Sequence, residues 1–258
     1  DQRTMSILKS EITRITNCFI SDYDVLNTFN PKQEELNFFG FEEVLKKGKI
    51  VVLNMNINEY SNLSKIIAAY LKLDFQTDVM TRLANSKDNN FRSVCFISDE
   101  YSEYCTETDC NFFSQSREAK CINIVATQSY TSLLNTLHDQ SAVNVIIQNL
   151  INKLWFRSDD IFTIENAQKQ IGKEDKEKIS RGISENAKET VYSYFTNSLN
   201  SKNSNISETI TTTLQNDFVY DTNFFTRHLT NFHCLSFLST GTEIIPPSEL
   251  KLFPYFNN

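Results

Sequence analysis

The chain has 258 residues, 40% of them hydrophobic and 12% aromatic, an ordinary globular composition with enough apolar material for one large core or two small ones. A formal net charge of -7 argues against a surface that binds nucleic acid by charge everywhere and leaves only a local basic rim for that purpose. No run approaches the roughly 18 apolar residues of a spanning helix, and the opening DQRTMSILKSEITRIT lacks the basic-then-apolar order of a signal peptide, so the chain is expected to be soluble.

The first residue is Asp rather than Met, which suggests a fragment or a processed product. Six cysteines (Cys18, Cys95, Cys105, Cys110, Cys121 and Cys234) occur without CxxC spacing, and two of them fall in strand-like runs, so a reducing compartment is expected. The Cys105–Cys110 spacing is wrong for the common structural zinc pairs.

In chain order, Met5, Leu8, Ile12, Ile15 and Phe19 recur at spacings of three and four and predict an amphipathic helix. FEEVLKK predicts a short helix stopped by Gly48. The β-branched run KIVVLNMN predicts a buried strand over 49–54, and residues 59–83 a long helix. A strand is expected at 93–99, a helix in DCNFFSQSREAK, and a further strand, CINIVAT, at 121–127. SLLNTL and AVNVIIQNL are helical by period, KLWFRS predicts a strand at 153–158, and DDIFTIENAQKQI a helix that ends at Gly172. This alternation implies an α/β fold whose sheet is mostly parallel with helices on both faces.

Residues 173–209 change to a Lys/Glu run followed by a Ser- and Asn-rich tract, which reads as a polar surface excursion with mobile portions. TITTTLQNDFVY is a Thr-rich strand candidate, NFFTRHL a short helix and HCLSFLS a strand. The tail from 241 to 258, with its PP and FPYF, is expected to lie extended across the body.

The chemistry concentrates after the strand VCFIS, which runs into Asp99 and Glu100. Charges at the end of a buried strand need a partner, and ligands of open parallel sheets sit beyond the carboxyl ends of the strands. The pair is either a Walker B element, with one acid holding Mg²⁺ and the other polarising the attacking water, or a solvated acidic turn. The neighbouring strand also ends in polar groups. Gln128 there either touches a γ-phosphate and the attacking water, or is merely exposed beside a helix-capping Ser129. Arg117 is either a charge-stabilising finger toward a neighbour's nucleotide or a surface arginine.

The phosphate loop G-x-x-x-x-G-K-[ST] that should accompany these parts is absent: GFEEVLKKGK has seven residues between its glycines, and Gly172-Lys173 is followed by Glu174. His138, His228 and His233 read as neutral core histidines rather than ligands. Lys46, Lys47 and Lys49 read as a solvated helix end rather than a DNA contact.

The order of these parts resembles the C-terminal part of the nucleotide-binding domain of conjugative coupling proteins of the TraG/TraD type, the motor ATPases of type IV secretion, themselves similar to FtsK and HerA DNA pumps. GKIVVLNM resembles the family's strand before its Walker B, and CFISDEYSEY the Walker B strand with its acids. FFSQSREAKCINIVATQSYTSL resembles the arginine-bearing segment and the following Thr-Gln-Ser strand end. NKLWFRSDDIFTIENAQKQIGK and LTNFHCLSFLSTG with LKLFPYF resemble the closing strands and tail.

The resemblance implies a RecA/FtsK-like motor core over 1–258, incomplete at its N-terminal side, with ATP and Mg²⁺ as cofactors in the full-length protein. Asp99 would hold Mg²⁺ through water, Glu100 would be the catalytic acid, Gln128 the sensor and Arg117 a trans-acting arginine. Asp99, Glu100 and Gln128 would together bind the nucleotide.

The implied partners are single-stranded or relaxase-bound DNA, relaxosome and accessory proteins, and secretion channel components. The implied assembly is a homo-hexamer at the cytoplasmic face of the bacterial plasma membrane. Two other readings stand beside it: a DNA pump unconnected with secretion, and a non-hydrolytic recognition module that docks a relaxosome protein through 173–209. The missing phosphate loop also leads us to expect an exposed sheet edge or apolar patch where the upstream part of relatives would pack.

Overall fold

The computed structural model describes residues 2–85, 92–185, 191–193, 198–200 and 206–254. The chain divides into two compact units, Asp1–Lys153 and Leu154–Asn258. It is a mixed α/β fold with a parallel sheet and helices.

In the first unit, the 3.6-residue period near the start becomes helix α1 (Gln2–Ile20). Helix α2 (Tyr23–Phe29) follows, its first turn capped by the Asp22 carboxylate, which accepts the N–H groups of Asp24 and Val25. Helix α3 (Phe41–Lys47) stops at Gly48 in the left-handed conformation, as expected from FEEVLKKG. Lys46, Lys47 and Lys49 pair with Glu42 and Glu43, which agrees with a solvated helix end.

The predicted long helix is divided at Ser61 (φ 48) into α4 (Ile57–Tyr60) and α5 (Asn62–Asn85). Strand β1 (Val94–Ser98), helix α6 (Asp109–Gln115), strand β2 (Cys121–Val125), and helices α7 (Tyr130–Leu137) and α8 (Gln140–Asn149) follow in the predicted order. Strands β1 and β2 are parallel, with Val94 opposite Cys121 and Ser98 opposite Val125.

One face of this pair is held by aromatic packing. Phe96 stacks on Phe75 of α5, which also meets Phe41 and Phe112 edge-on. Each such ring, once buried, is worth roughly 1.5–3 kcal/mol. The opposite face carries Cys95, Ile97, Ile122 and Ile124, all exposed. That is an apolar patch on the sheet, of the kind expected above.

The predicted strand over 49–54 does not form. Residues 50–53 are irregular and exposed, with Ile50 at 91% and Val52 at 79%. A strand exists through its ladder, and β-propensity without a paired neighbour does not create one. Among the described residues, β1 pairs only with β2. An apolar groove of about 820 Å³ is lined by residues of β1, α3 and α5, by residues 49–53 and by Asp99.

Strand β3 (Lys153–Trp155) spans the division between the units and belongs to a sheet ordered β3-β8-β9. Helix α9 (Ile161–Ile171) begins at Asp160, whose carboxylate accepts the Thr163 N–H, and ends at Gly172. Strand β8 (His233–Ser239) pairs antiparallel with β9 (Ile244–Lys251), so the tail is extended and hydrogen-bonded over 244–251, while residues 255–258 lie outside the described residues. Pro246 and Pro247 fall where the register shifts between Ser236 and Leu238, and on this terminal strand of the sheet proline is tolerated. NFFTRHL yields a single π-helical turn, Phe224–His228. The core of this unit gathers Trp155, Ile164, Phe225, Leu229, Leu235 and Phe237.

The polar excursion is more regular than its composition suggests. Strand β4 (Lys173–Glu185) pairs antiparallel with β7 (Ile206–Phe218) over its whole length, Lys173 opposite Phe218 and Glu185 opposite Ile206. Between them β5 (Val191–Ser193) pairs with β6 (Ser198–Asn200). The Thr-rich run supplies a β-prone strand, and the Lys/Glu run with the residues after it pairs along it residue for residue, which places Ile179 and Ile183 on one face. The most polar part of the tract, near 201–205, lies outside the described residues.

Candidate functional site

Parallel pairing of β1 and β2 brings their carboxyl ends together, and the ladder continues past them. Ala126 N–H donates to Ser98 O at 2.8 Å and Tyr101 N–H to Ala126 O at 2.9 Å. Asp99 and Glu100 lie between these two bonds. Asp99 is exposed, and its Oδ1 accepts the N–H of Glu100 at 2.9 Å. Glu100 is left-handed (φ 47), a conformation that costs a non-glycine residue about 1–2 kcal/mol. Its left-handed backbone turns the chain into the 3₁₀ turn Tyr101–Glu103, in which Glu103 N–H donates to Glu100 O.

Gln128, three residues beyond the end of β2, meets Glu100. Its Nε2 donates to Oε1 at 3.2 Å and to Oε2 at 3.3 Å. Ser129 does cap α7, accepting the Ser132 N–H, yet Gln128 is not merely exposed beside it. The structure therefore brings Asp99, Glu100 and Gln128 to one place. Arg117 is elsewhere: it lies exposed in the turn before β2, at the opposite end of the strand, and makes no side-chain hydrogen bond or ion pair with a described residue. Five residues of strand, at about 3.3 Å each, separate it from the acids.

Two tyrosines missing from the sequence reading brace the acidic turn. Tyr104 donates to Asp99 O at 3.0 Å and shares a 2.5 Å hydrogen bond with Ser98 Oγ. Tyr101 is fully buried, and burial, reinforced by the Asp109 carboxylate, pushes its phenol far above the ordinary value, so it stays protonated. No spacing rule exposes these residues, because their partners are distant in sequence. Burial likewise pushes the thiols of Cys105 and Cys121 up, to about 11 and about 12, which marks them as inert at neutral pH.

The expected core histidines are not in the core. His138 and His228 are exposed and His233 is half-buried. His138 occupies the left-handed cap of α7, His228 faces Glu249 at 3.2 Å, and His233 bonds Thr230. Local backbone and polar demands, which the sequence reading did not weigh, set all three positions.

Among the described residues no group of three or more His, Cys, Asp or Glu side chains could hold a metal ion. One exposed carboxylate beside a second fits Mg²⁺ only in its usual mode, in which waters and phosphate oxygens complete the shell.

No family model and no curated protein matches the chain. Among solved structures it is similar to a bacterial conjugative coupling protein, TrwBdeltaN70 in its unbound monoclinic form, at TM-score 0.45 and 11% identity over 69% of this chain. The chain spans 35% of that protein's length.

Proposed function

We propose that the acid pair and Gln128 are the water-activating side of an ATP site, and that the chain is part of a DNA-translocating motor of the conjugative coupling type. The observation that carries this reading is the Gln128–Glu100 hydrogen bond across the ends of two parallel strands. The motif order quoted above motivates it independently.

ATP with Mg²⁺ supplies the phosphoryl group and the cation that neutralises its charge. Asp99, exposed at the strand end, would hold the cation through its water shell. Glu100 accepts the proton of the attacking water. Gln128, already hydrogen-bonded to Glu100, orients that water and links the acid to the neighbouring strand. Arg117, at the far end of β2, would act only toward another subunit, in keeping with a homo-hexamer at the cytoplasmic face of the membrane. Single-stranded or relaxase-bound DNA would be the cargo, delivered to secretion channel components. No helix among the described residues is long and apolar enough to cross a membrane.

Glu100→Gln in the native protein is expected to lower ATP turnover at least about a hundredfold while nucleotide binding persists. Unchanged turnover would reject the assignment.

A second reading, a recognition module that docks a relaxosome protein, is favoured by one observation, an exposed apolar face. Ile179, Ile183, Ile210 and Leu214 share one face of the β4–β7 ribbon and are all exposed. Ile183→Asp with Leu214→Asp should abolish capture of relaxosome proteins and spare the fold; capture at wild-type level would exclude this surface.

A further inference from the structure

We infer that Asp109 is a positioning residue for the acid pair: backed by Lys72, it holds the Glu100 turn in its left-handed conformation through the hydroxyl of Tyr101. This rests on the nucleotide-hydrolase reading above and names a part of that site that neither the motif order nor the acid pair indicates.

The Asp109 carboxylate is completely buried and receives four donors. Oδ2 accepts from Lys72 Nζ at 2.5 Å, Tyr101 OH at 2.6 Å and the Thr106 N–H at 2.9 Å, and Oδ1 accepts from Gln76 Nε2 at 2.8 Å. Lys72, also buried, gives its remaining protons to Tyr104 O at 2.9 Å and Thr106 Oγ1 at 3.0 Å. Every donor and acceptor in this cluster comes from α5, from α6 or from the segment that follows Glu100.

The connectivity converges on the acids. Tyr101, next to Glu100, is fixed by its phenol to Asp109 and by its N–H to the carbonyl of Ala126, just past β2. Tyr104 is fixed by its carbonyl to Lys72, and its hydroxyl returns to Ser98 and Asp99. The left-handed residue lies inside a loop tied at both ends. Such strain persists only where the surroundings over-determine it. A buried ion pair, in contrast, is a weak source of stability, because apolar side chains of the same volume serve as well. A pair whose other bonds, apart from the one from Gln76, all lead to the segment 101–106 is explained by what it orients. Gln128 Nε2 already lies 3.2 and 3.3 Å from the two Glu100 oxygens, so displacing the turn by about 1 Å breaks both bonds, and misplacement of that size costs roughly a hundredfold in rate.

Tyr101→Phe tests this with the least disturbance, since it removes one hydroxyl and keeps the ring against Tyr104 and Phe113 and the Lys72–Asp109 pair. In the native protein we expect kcat for ATP to fall roughly 10- to 100-fold with KM unchanged. Amide exchange over residues 99–104 should rise about tenfold while β1 and β2 keep their protection. Asp109→Asn should act in the same direction, with a larger loss of thermal stability.

A lowered melting temperature with kcat and exchange at wild-type values would make the cluster purely structural and overturn the inference. Glu100→Gln serves as the control. If it leaves turnover intact, the hydrolase reading fails and takes this inference with it; if it abolishes turnover while Tyr101→Phe is silent, only the inference fails.

Discussion

Replacing Lys72 by Met should remove a large share of the stability of the first unit. The ammonium and the Asp109 carboxylate have side-chain exposures of 1% and 0%, so neither can recover its partner's contribution from water. Without Lys72 the carboxylate keeps three donors, and the carbonyl of Tyr104 and the hydroxyl of Thr106 each lose one. Breaking one side of a buried pair typically costs 3–5 kcal/mol, most of it the price of leaving a charge uncompensated. Against a total stability of roughly 5–15 kcal/mol that is a third or more.

Urea unfolding followed by far-ultraviolet circular dichroism measures the loss, because α1 to α8 all lie in the first unit. The only tryptophan, Trp155, lies in the second unit and reports on it separately by fluorescence. The circular-dichroism midpoint should fall by 1 M urea or more while the fluorescence midpoint stays in place. The joint replacement Lys72→Met with Asp109→Leu should recover most of the loss, since no buried charge then remains. A single-variant loss below about 1 kcal/mol would refute the claim that the pair is sealed from solvent.

At Gly48, φ is +69 and an added Cβ would fall 1.9 Å from Nη1 of Arg92, so Gly48→Ala should destabilise by about 1 kcal/mol, read as a lower melting temperature. Lys153 is buried at the start of β3, and desolvation holds its amine down to about 8. The fold then releases this proton near pH 8 and the unfolded chain near 10.5, so between those values the unfolded state binds more protons and stability rises with pH. Lys153→Met should flatten that rise and add about 1–2 kcal/mol at neutral pH, after allowance for the solvent the amine still reaches. Denaturation at pH 7 and pH 10 distinguishes the two slopes, and equal slopes would show that the amine is hydrated.

Periodicity and punctuation determined most of the elements by themselves. The stripe from Met5 to Phe19, Gly48 after FEEVLKK, Asp160 before and Gly172 after the helix between them each act within a few residues of where they stand. The same locality put Asp99, Glu100 and Gln128 just beyond strand ends, because each β-prone run gives way there to polar residues.

Only the tertiary structure decided the rest. Residues 49–54 have the composition of a strand and lack a paired neighbour, so their β-branched side chains line a groove instead of a sheet. The Lys/Glu run after Gly172 looks like a solvated loop until the Thr-rich run, some thirty residues later, supplies the other half of its ladder. The histidines went to caps and surface pairs that local composition does not announce. Asp109 reads as one acid among several at a helix start. It becomes the most enclosed carboxylate near the site because Lys72, 37 residues earlier, folds back onto it. Hydrogen bonds between distant residues depend on where the chain crosses itself, and a linear pattern holds no record of that crossing.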